Sequence, residues 1–216
     1  MKAIICGTKK DSIGRYVAED LVRENWEVWL YSRSVDNRDN DSVHERRVDL
    51  THSDEIDVLV SEVGNPDLVV MSADTGGAFG LFEGLGFADV RAFLDAKILG
   101  SILFVQSLLR HNAQTKIIFL GGKIGQKSKD FLLYGVVNSA MMALVEEINR
   151  HYPSQMDAYY LETPVIWPSP VAERYVHMSE QSVDGQSPSV VTRSLRRILK
   201  NEYTPGFVPC VEGKVL

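Results

Sequence analysis

KAIICGTKKDSIG, running from Lys2 to Gly14, is the stretch whose reading decides the fold. Lys2–Cys6 is a short, almost unbroken apolar run of strand character. Gly7 follows at once, and from Ile13 to about Glu24 the side chains of Ile13, Val17 and Leu21, with Tyr16, recur at helical spacing. Strand, glycine turn and helix in that order form a context with a known use. Glycine lets the backbone bend sharply and approach a pyrophosphate, and the unpaired N–H groups at the helix start receive its charge. Two glycines and a serine at a turn are common in themselves, so the rest of the chain has to decide.

Beyond this stretch, apolar runs alternate with helix-length segments. EVWLYS (Glu27–Ser32), RRVDL (Arg46–Leu50), DLVVMSA (Asp67–Ala73), KIIFLGG (Lys116–Gly122), DAYYLE (Asp157–Glu162) and GFVPCV (Gly206–Val211) read as strands. Between them, helical periods cover roughly 53–63, 87–111, 130–151 and 189–201. Continuous apolar strands alternating with helices mean a parallel sheet covered on both faces. The expectation is a single doubly wound, Rossmann-type α/β domain over residues 1–216, with about seven parallel strands. The polar stretch Asp36–Asp41 reads as a surface loop.

Bulk properties narrow the function. The chain of 216 residues is 44% apolar, enough for a sizeable core, and its net charge of −6 argues against a general nucleic-acid binder. Cys6 and Cys210 are the only cysteines and the five histidines are scattered, so no metal-ligand spacing is present. MKAIIC has neither a signal peptide's apolar core nor a transit peptide's composition, and no apolar run approaches the length of a membrane span. A cytoplasmic protein without membrane or nucleic-acid partners is expected.

The end of the second strand is where dinucleotide folds read the adenosine ribose, commonly with an acid for NAD. Here Ser32-Arg33 stand there and no acid follows until Asp36. A guanidinium pairs with a phosphate through two parallel hydrogen bonds, so Arg33 suits the 2′-phosphate of NADP, and Lys9 and Lys10 add positive charge. If a nicotinamide cofactor binds, NADP is favoured over NAD.

Taken in order, these stretches resemble the short-chain dehydrogenase/reductase family over nearly the whole chain. CGTKKDSIG is similar to its T-G-x-x-x-G-I-G turn, which assigns Gly7, Ser12, Ile13 and Gly14 to the cofactor. VDLTHSDEI is similar to its aspartate-leucine segment, placing Asp49 and Leu50 near the adenine. DLVVMSAD stands at its N-N-A-G segment, of which Ala73 is kept, and LETPV at its proline-glycine turn, marking Pro164. FADVRAFLDAKILG resembles the helix ending V-N-x-x-G, KIIFLGGKIG the strand carrying the catalytic serine, YGVVNSAMMALV the Y-x-x-x-K helix, and TPGFVPCVEGKVL the family's C-terminal tail.

Departures fall on the residues that do chemistry. The glycine turn is one residue longer than usual, with Asp11 or Ser12 replacing the middle glycine, and Asp74 brings an acid to the cofactor side. The catalytic serine aligns with Gly122, the lysine with Asn138 and the helix asparagine with Lys97, so that Tyr134 alone survives. A longer turn with Ser-Ile also occurs in the enoyl reductases, whose lysine stands seven residues after the tyrosine; that position is Met141. Lysine and asparagine have thus changed places, and Lys97 is expected to bring a cation to Tyr134 from the facing helix. Lys123 is a second cation at the turn after Gly122.

The resemblance implies an atypical NADP-dependent oxidoreductase acting on a carbonyl or alcohol, with Tyr134 as acid/base. The alternative is a pseudoenzyme, the fold kept as a binding or assembly module with or without nucleotide. Helices 87–111 and 130–151 are apolar nearly all round, which calls for burial on both sides. In the family these helices pair with symmetry mates, so a homodimer or homotetramer is expected. The segment Val165–Ser182, with two prolines, Trp167 and His177, reads as the substrate-covering loop.

Overall fold

The computed structural model describes residues 1–73, 80–122, 129–167, 169, 172–173 and 185–210. The chain runs β1 (Lys2–Cys6), α1 (Ile13–Arg23), β2 (Glu27–Ser32), β3 (Arg38–Asp39), β4 (Val43–Arg47), α2 (Ser53–Val63) and β5 (Leu68–Met71). It continues with α3 (Phe87–Leu94), a π-helical turn (Asp95–Leu99), α4 (Gly100–Arg110), β6 (Thr115–Gly122), α5 (Leu132–His151), β7 (Met156–Thr163), α6 (Ser189–Leu199) and β8 (Gly206–Pro209).

One sheet has the order β3-β4-β2-β1-β5-β6-β7-β8. Every pairing is parallel except β3 with β4. The sheet therefore has eight strands rather than about seven, and the polar Asp36–Asp41 stretch contributes the extra one. Arg38 and Asp39 pair with Glu45 and His44, so the hairpin caps what would otherwise be an open edge. The third expected strand lies a few residues earlier, at Val43–Arg47 instead of Arg46–Leu50.

Burial follows from this arrangement. All four residues of β5 and the last four of β1 are buried, as a strand covered on both faces requires. Alternate side chains feed two cores. Ile4, Val69, Ile117, Phe119 and Tyr160 face α2, α4 and α5, whereas Ala3, Ile5, Val70, Ile118 and Leu161 face α1 and α6. Salt bridges from Arg196 to Asp20 and Glu24, both at 2.7 Å, tie α6 to α1.

The helix expected over 87–111 is interrupted at Asp95–Leu99, where the ladder slips to the wider π spacing. Packing explains the position. A Cβ on Gly100 would lie 2.7 Å from the Leu50 Cβ, so the start of α4 presses directly on the loop after β4. By length and hydropathy Phe87–Arg110 is also long and apolar enough to cross a membrane, contrary to the sequence expectation. Here Phe93, Phe104, Val105 and Leu108 are buried against the sheet and the neighbouring helices, while Leu99 and Ile102 remain exposed.

Candidate functional site

The order of strands reverses between β1 and β5, and a crevice at the C-terminal ends of the strands is the place where open α/β sheets bind ligands. A cavity of about 630 Å³ occupies it. It begins at Arg33, Asp49 and Thr51, passes Gly7, Lys9, Ser12 and Ile13, and ends among Lys97, Gly122, Tyr134 and Asn138. Leu50, Ala73 and Pro164 also line it, so of the described residues expected to hold the cofactor or do the chemistry, Gly14 and Lys10 lie outside its wall.

Gly14 has a structural reason instead. A Cβ there would lie 2.7 Å from the Gly7 carbonyl oxygen, 2.9 Å from that of Cys6 and 2.6 Å from Ser72 Oγ. Gly7, at φ 77°, is equally confined, with the Ser72 carbonyl oxygen 2.7 Å from its ideal Cβ. Helix α1 and the end of β5 can meet only because both positions are glycine. Of the two positions expected to replace the family's middle glycine, Asp11 takes up the left-handed backbone at φ 61°, whereas Ser12 is extended.

At the start of α1, Ser12 is the cap: its Oγ accepts from Arg15 N at 3.2 Å and donates to the Gly7 carbonyl at 2.8 Å. Arg15 and Tyr16 N–H also reach the Ser12 carbonyl, which leaves those of Ile13 and Gly14 ahead of the helical ladder. At the opposite end of the cavity, Asp49 accepts from Thr51 N at 3.0 Å and Thr51 Oγ1 at 2.9 Å. Burial works to raise its carboxyl, but these bonds and the nearby Arg33 outweigh that and hold it below the ordinary carboxylate value. Arg33 itself is exposed at the mouth.

Tyr134 stands in the first turn of α5, 4% exposed, with its ring 4.6 Å from that of Phe93 and 6.4 Å from that of Phe131. One turn later Asn138 donates its amide to the Gly122 carbonyl at 2.7 Å, joining α5 to the end of β6. Lys97 projects from the π-helical turn and its Nζ donates to the Leu120 carbonyl at 3.3 Å. Tyr134, Lys97, Asn138 and Gly122 therefore border one cavity. Asp74, Lys123 and His177 lie outside the described residues.

Other side chains take part without having been singled out. Thr163 Oγ1 donates to the Gly121 carbonyl at 3.0 Å, and the Tyr160 hydroxyl sits where a Cβ of Gly121 would be, 1.9 Å from it. These are contacts between neighbouring strands, and no short sequence pattern announces them. Cys6 and Tyr31 form part of the floor, where burial pushes the Cys6 thiol up to about 11. Ala92 and Ala96, one helical turn apart, also line the cavity. Their small size beside Lys97 was a readable signal.

No family model and no curated protein matches the sequence. Solved structures do match. ElxO with NADP bound has a TM-score of 0.80 at 16% identity, covering 97% of this chain and 96% of that one. The ligand-free aldohexose dehydrogenase of Thermoplasma acidophilum also reaches 0.80 at 16%, covering 97% and 92%. A short-chain dehydrogenase from Streptomyces avermitilis reaches 0.77 at 20%, covering 96% and 87%. The likeness extends over nearly the full length of each, and it establishes the fold expected from the sequence.

Proposed function

We propose, from the fold of the short-chain dehydrogenases/reductases, that this protein is an NADP-dependent oxidoreductase interconverting a carbonyl and an alcohol. The observation that carries the reading is the single cavity joining the capped start of α1 and Arg33 to Tyr134, Lys97, Asn138 and Gly122. ElxO, with NADP bound at the same fold, supports the choice of cofactor.

The residues present suit a dinucleotide. The N–H groups of Ile13 and Gly14 have no partner among the described residues and are open to a phosphate, with Gly7 and Ser12 shaping the turn. Arg33 stands for the 2′-phosphate, Asp49 and Leu50 for the adenine side, and Ala73 and Pro164 for the nicotinamide side. Bound there, the nicotinamide supplies or accepts a hydride.

Tyr134 gives its phenolic proton to the carbonyl oxygen, or takes it back in the oxidation. A phenol titrates near 10, so a cation is needed; one at about 4–6 Å favours the phenolate by roughly 1–3 units, on the order of 1.4–4 kcal/mol. Lys9, Arg33 and Lys97 bring positive charge to this cavity, and Asn138 holds the end of β6 in place. With no hydroxyl at Gly122, backbone N–H groups must take the serine's part, and the loss of one such donor lowers rates by about 10²–10³ elsewhere.

A specific observation favours a second reading, the pseudoenzyme. One N–H of the Asn138 amide is already engaged by the Gly122 carbonyl, and Gly122 has no side-chain hydroxyl to offer a substrate. In either case exposed Leu99 at the end of the π-helical turn, Ile102 on α4, and Leu132 and Val136 on α5 support a homodimer or homotetramer through these helices. Titration with NADPH, followed by its fluorescence, separates the readings. No binding at millimolar cofactor ends the oxidoreductase proposal.

A further inference from the structure

Among the described residues Lys97 is a cation without a counter-charge. Its ammonium has one bond, to the neutral Leu120 carbonyl, and it enters no ion pair among the described residues. Asp95, two residues earlier and also lining the cavity, is taken by Arg91 at 3.4 Å. The backbone that carries Lys97 is fixed from behind. Ser101 Oγ donates to the Lys97 carbonyl at 2.6 Å, and Gly100 is pressed against Leu50.

Its position is defined by two strand ends. Leu120 lies near the end of β6, and Lys97 lines the same cavity as Cys6, the last residue of β1. Strand β5 runs between those two. The charge therefore stands over the C-terminal ends of β1, β5 and β6, between the glycine turn and Tyr134. The turn itself holds an anion less firmly than a three-glycine loop. Ser12 Oγ is occupied by Gly7 and Arg15, and the exposed carboxylate of Asp11 repels a phosphate.

We infer that Lys97 binds the diphosphate of the dinucleotide and replaces the grip that the altered turn lacks, an assignment resting on the nicotinamide-dependent reading above. An ammonium on a flexible stem is a point charge suited to phosphate oxygens, and a cation paired with no described carboxylate is readily turned toward one. The group that closes the cofactor site thus comes from the π-helical turn.

The test is binding, not turnover. NADPH, 2′-phospho-ADP-ribose and 2′-AMP are titrated calorimetrically against the wild type, Lys97→Met and Lys97→Arg. Lys97→Met is expected to weaken NADPH and 2′-phospho-ADP-ribose about tenfold each, and 2′-AMP, which has no diphosphate, not at all. Lys97→Arg retains most of the affinity. Weakening of NADPH alone overturns the inference by placing Lys97 on the nicotinamide half. Equal weakening of all three, or of none, also overturns it. If the wild type binds no NADPH, the oxidoreductase reading falls too; if wild type and Lys97→Met bind it equally, only the role of Lys97 does.

Discussion

Arg33→Ala isolates the cofactor choice. Arg33 is exposed at the mouth of the cavity, joins no ion pair among the described residues, and acts on the protein only through its field on Asp49. Its removal strands no buried partner, so the folding free energy should change by no more than about 0.5 kcal/mol. A hydrogen bond to a charged group is worth about 1.5–3 kcal/mol, and an exposed guanidinium screened by salt belongs at the low end. Since about 1.4 kcal/mol is a factor of ten, NADPH should bind about tenfold more weakly. NADH lacks the 2′-phosphate and should be unaffected. Fluorescence titration of both nucleotides at two ionic strengths measures this, and the difference between wild type and variant should narrow at high salt. Equal weakening of NADPH and NADH, or no change in either, refutes the assignment of Arg33 to the 2′-phosphate.

Three further outcomes are expected. Cys6 is raised by burial from 9.0 to about 11, so the folded state keeps a proton that the unfolded chain releases. Its contribution, about 2–3 kcal/mol, is complete below pH 9 and lost as pH rises toward 11; urea melts between pH 8 and 10.5 should be steeper in pH for wild type than for Cys6→Ala, and parallel curves count against the burial argument. In Gly121→Ala the new Cβ meets Tyr160 Oη at 1.9 Å and Cζ at 2.3 Å, and Tyr160, 2% exposed and stacked on Phe207, has nowhere to swing. Overpacking should destabilise by about 1–3 kcal/mol, and calorimetry of Gly121→Ala/Tyr160→Ala should show less than the sum of the single losses; additivity contradicts the contact. Val136, 54% exposed on α5, becomes a charge in Val136→Glu, which should shift the protein to monomer in light scattering; a monomeric wild type removes the interface.

The alternation of the sheet was legible because each central strand is buried on both faces, which writes an apolar run into the sequence. LVVM at β5 is the plainest case. Two-residue β3 carries no such mark: Arg38 and Asp39 are exposed, and only their pairing with Glu45 and His44 makes a strand. The π-helical turn was equally hidden. Neither proline nor a break in the apolar pattern marks Asp95–Leu99, and its cause is the tertiary contact of Gly100 with Leu50. For the site, Tyr134 and the glycine turn could be found from residue type and spacing. Tyr160, Thr163 and Cys6 could not, because their roles depend on which strands become neighbours.

One small feature has an outcome for engineering. Gln186 N donates to the Val165 carbonyl and Trp167 N to the Gln186 carbonyl, each at 2.8 Å, and a Cβ on Gly185 would lie 2.5 Å from the Trp167 Cβ. These bonds clasp the two roots of the intervening segment beside Ile166, which is buried in the sheet's core. Whatever is inserted between the roots starts and finishes at the same two points. Each doubling of such an insert adds only about 0.6 kcal/mol of closure entropy. The clasp therefore fixes where this part of the cavity wall leaves and rejoins the sheet, so a change of length between the roots should leave the register of the strands beneath unaltered.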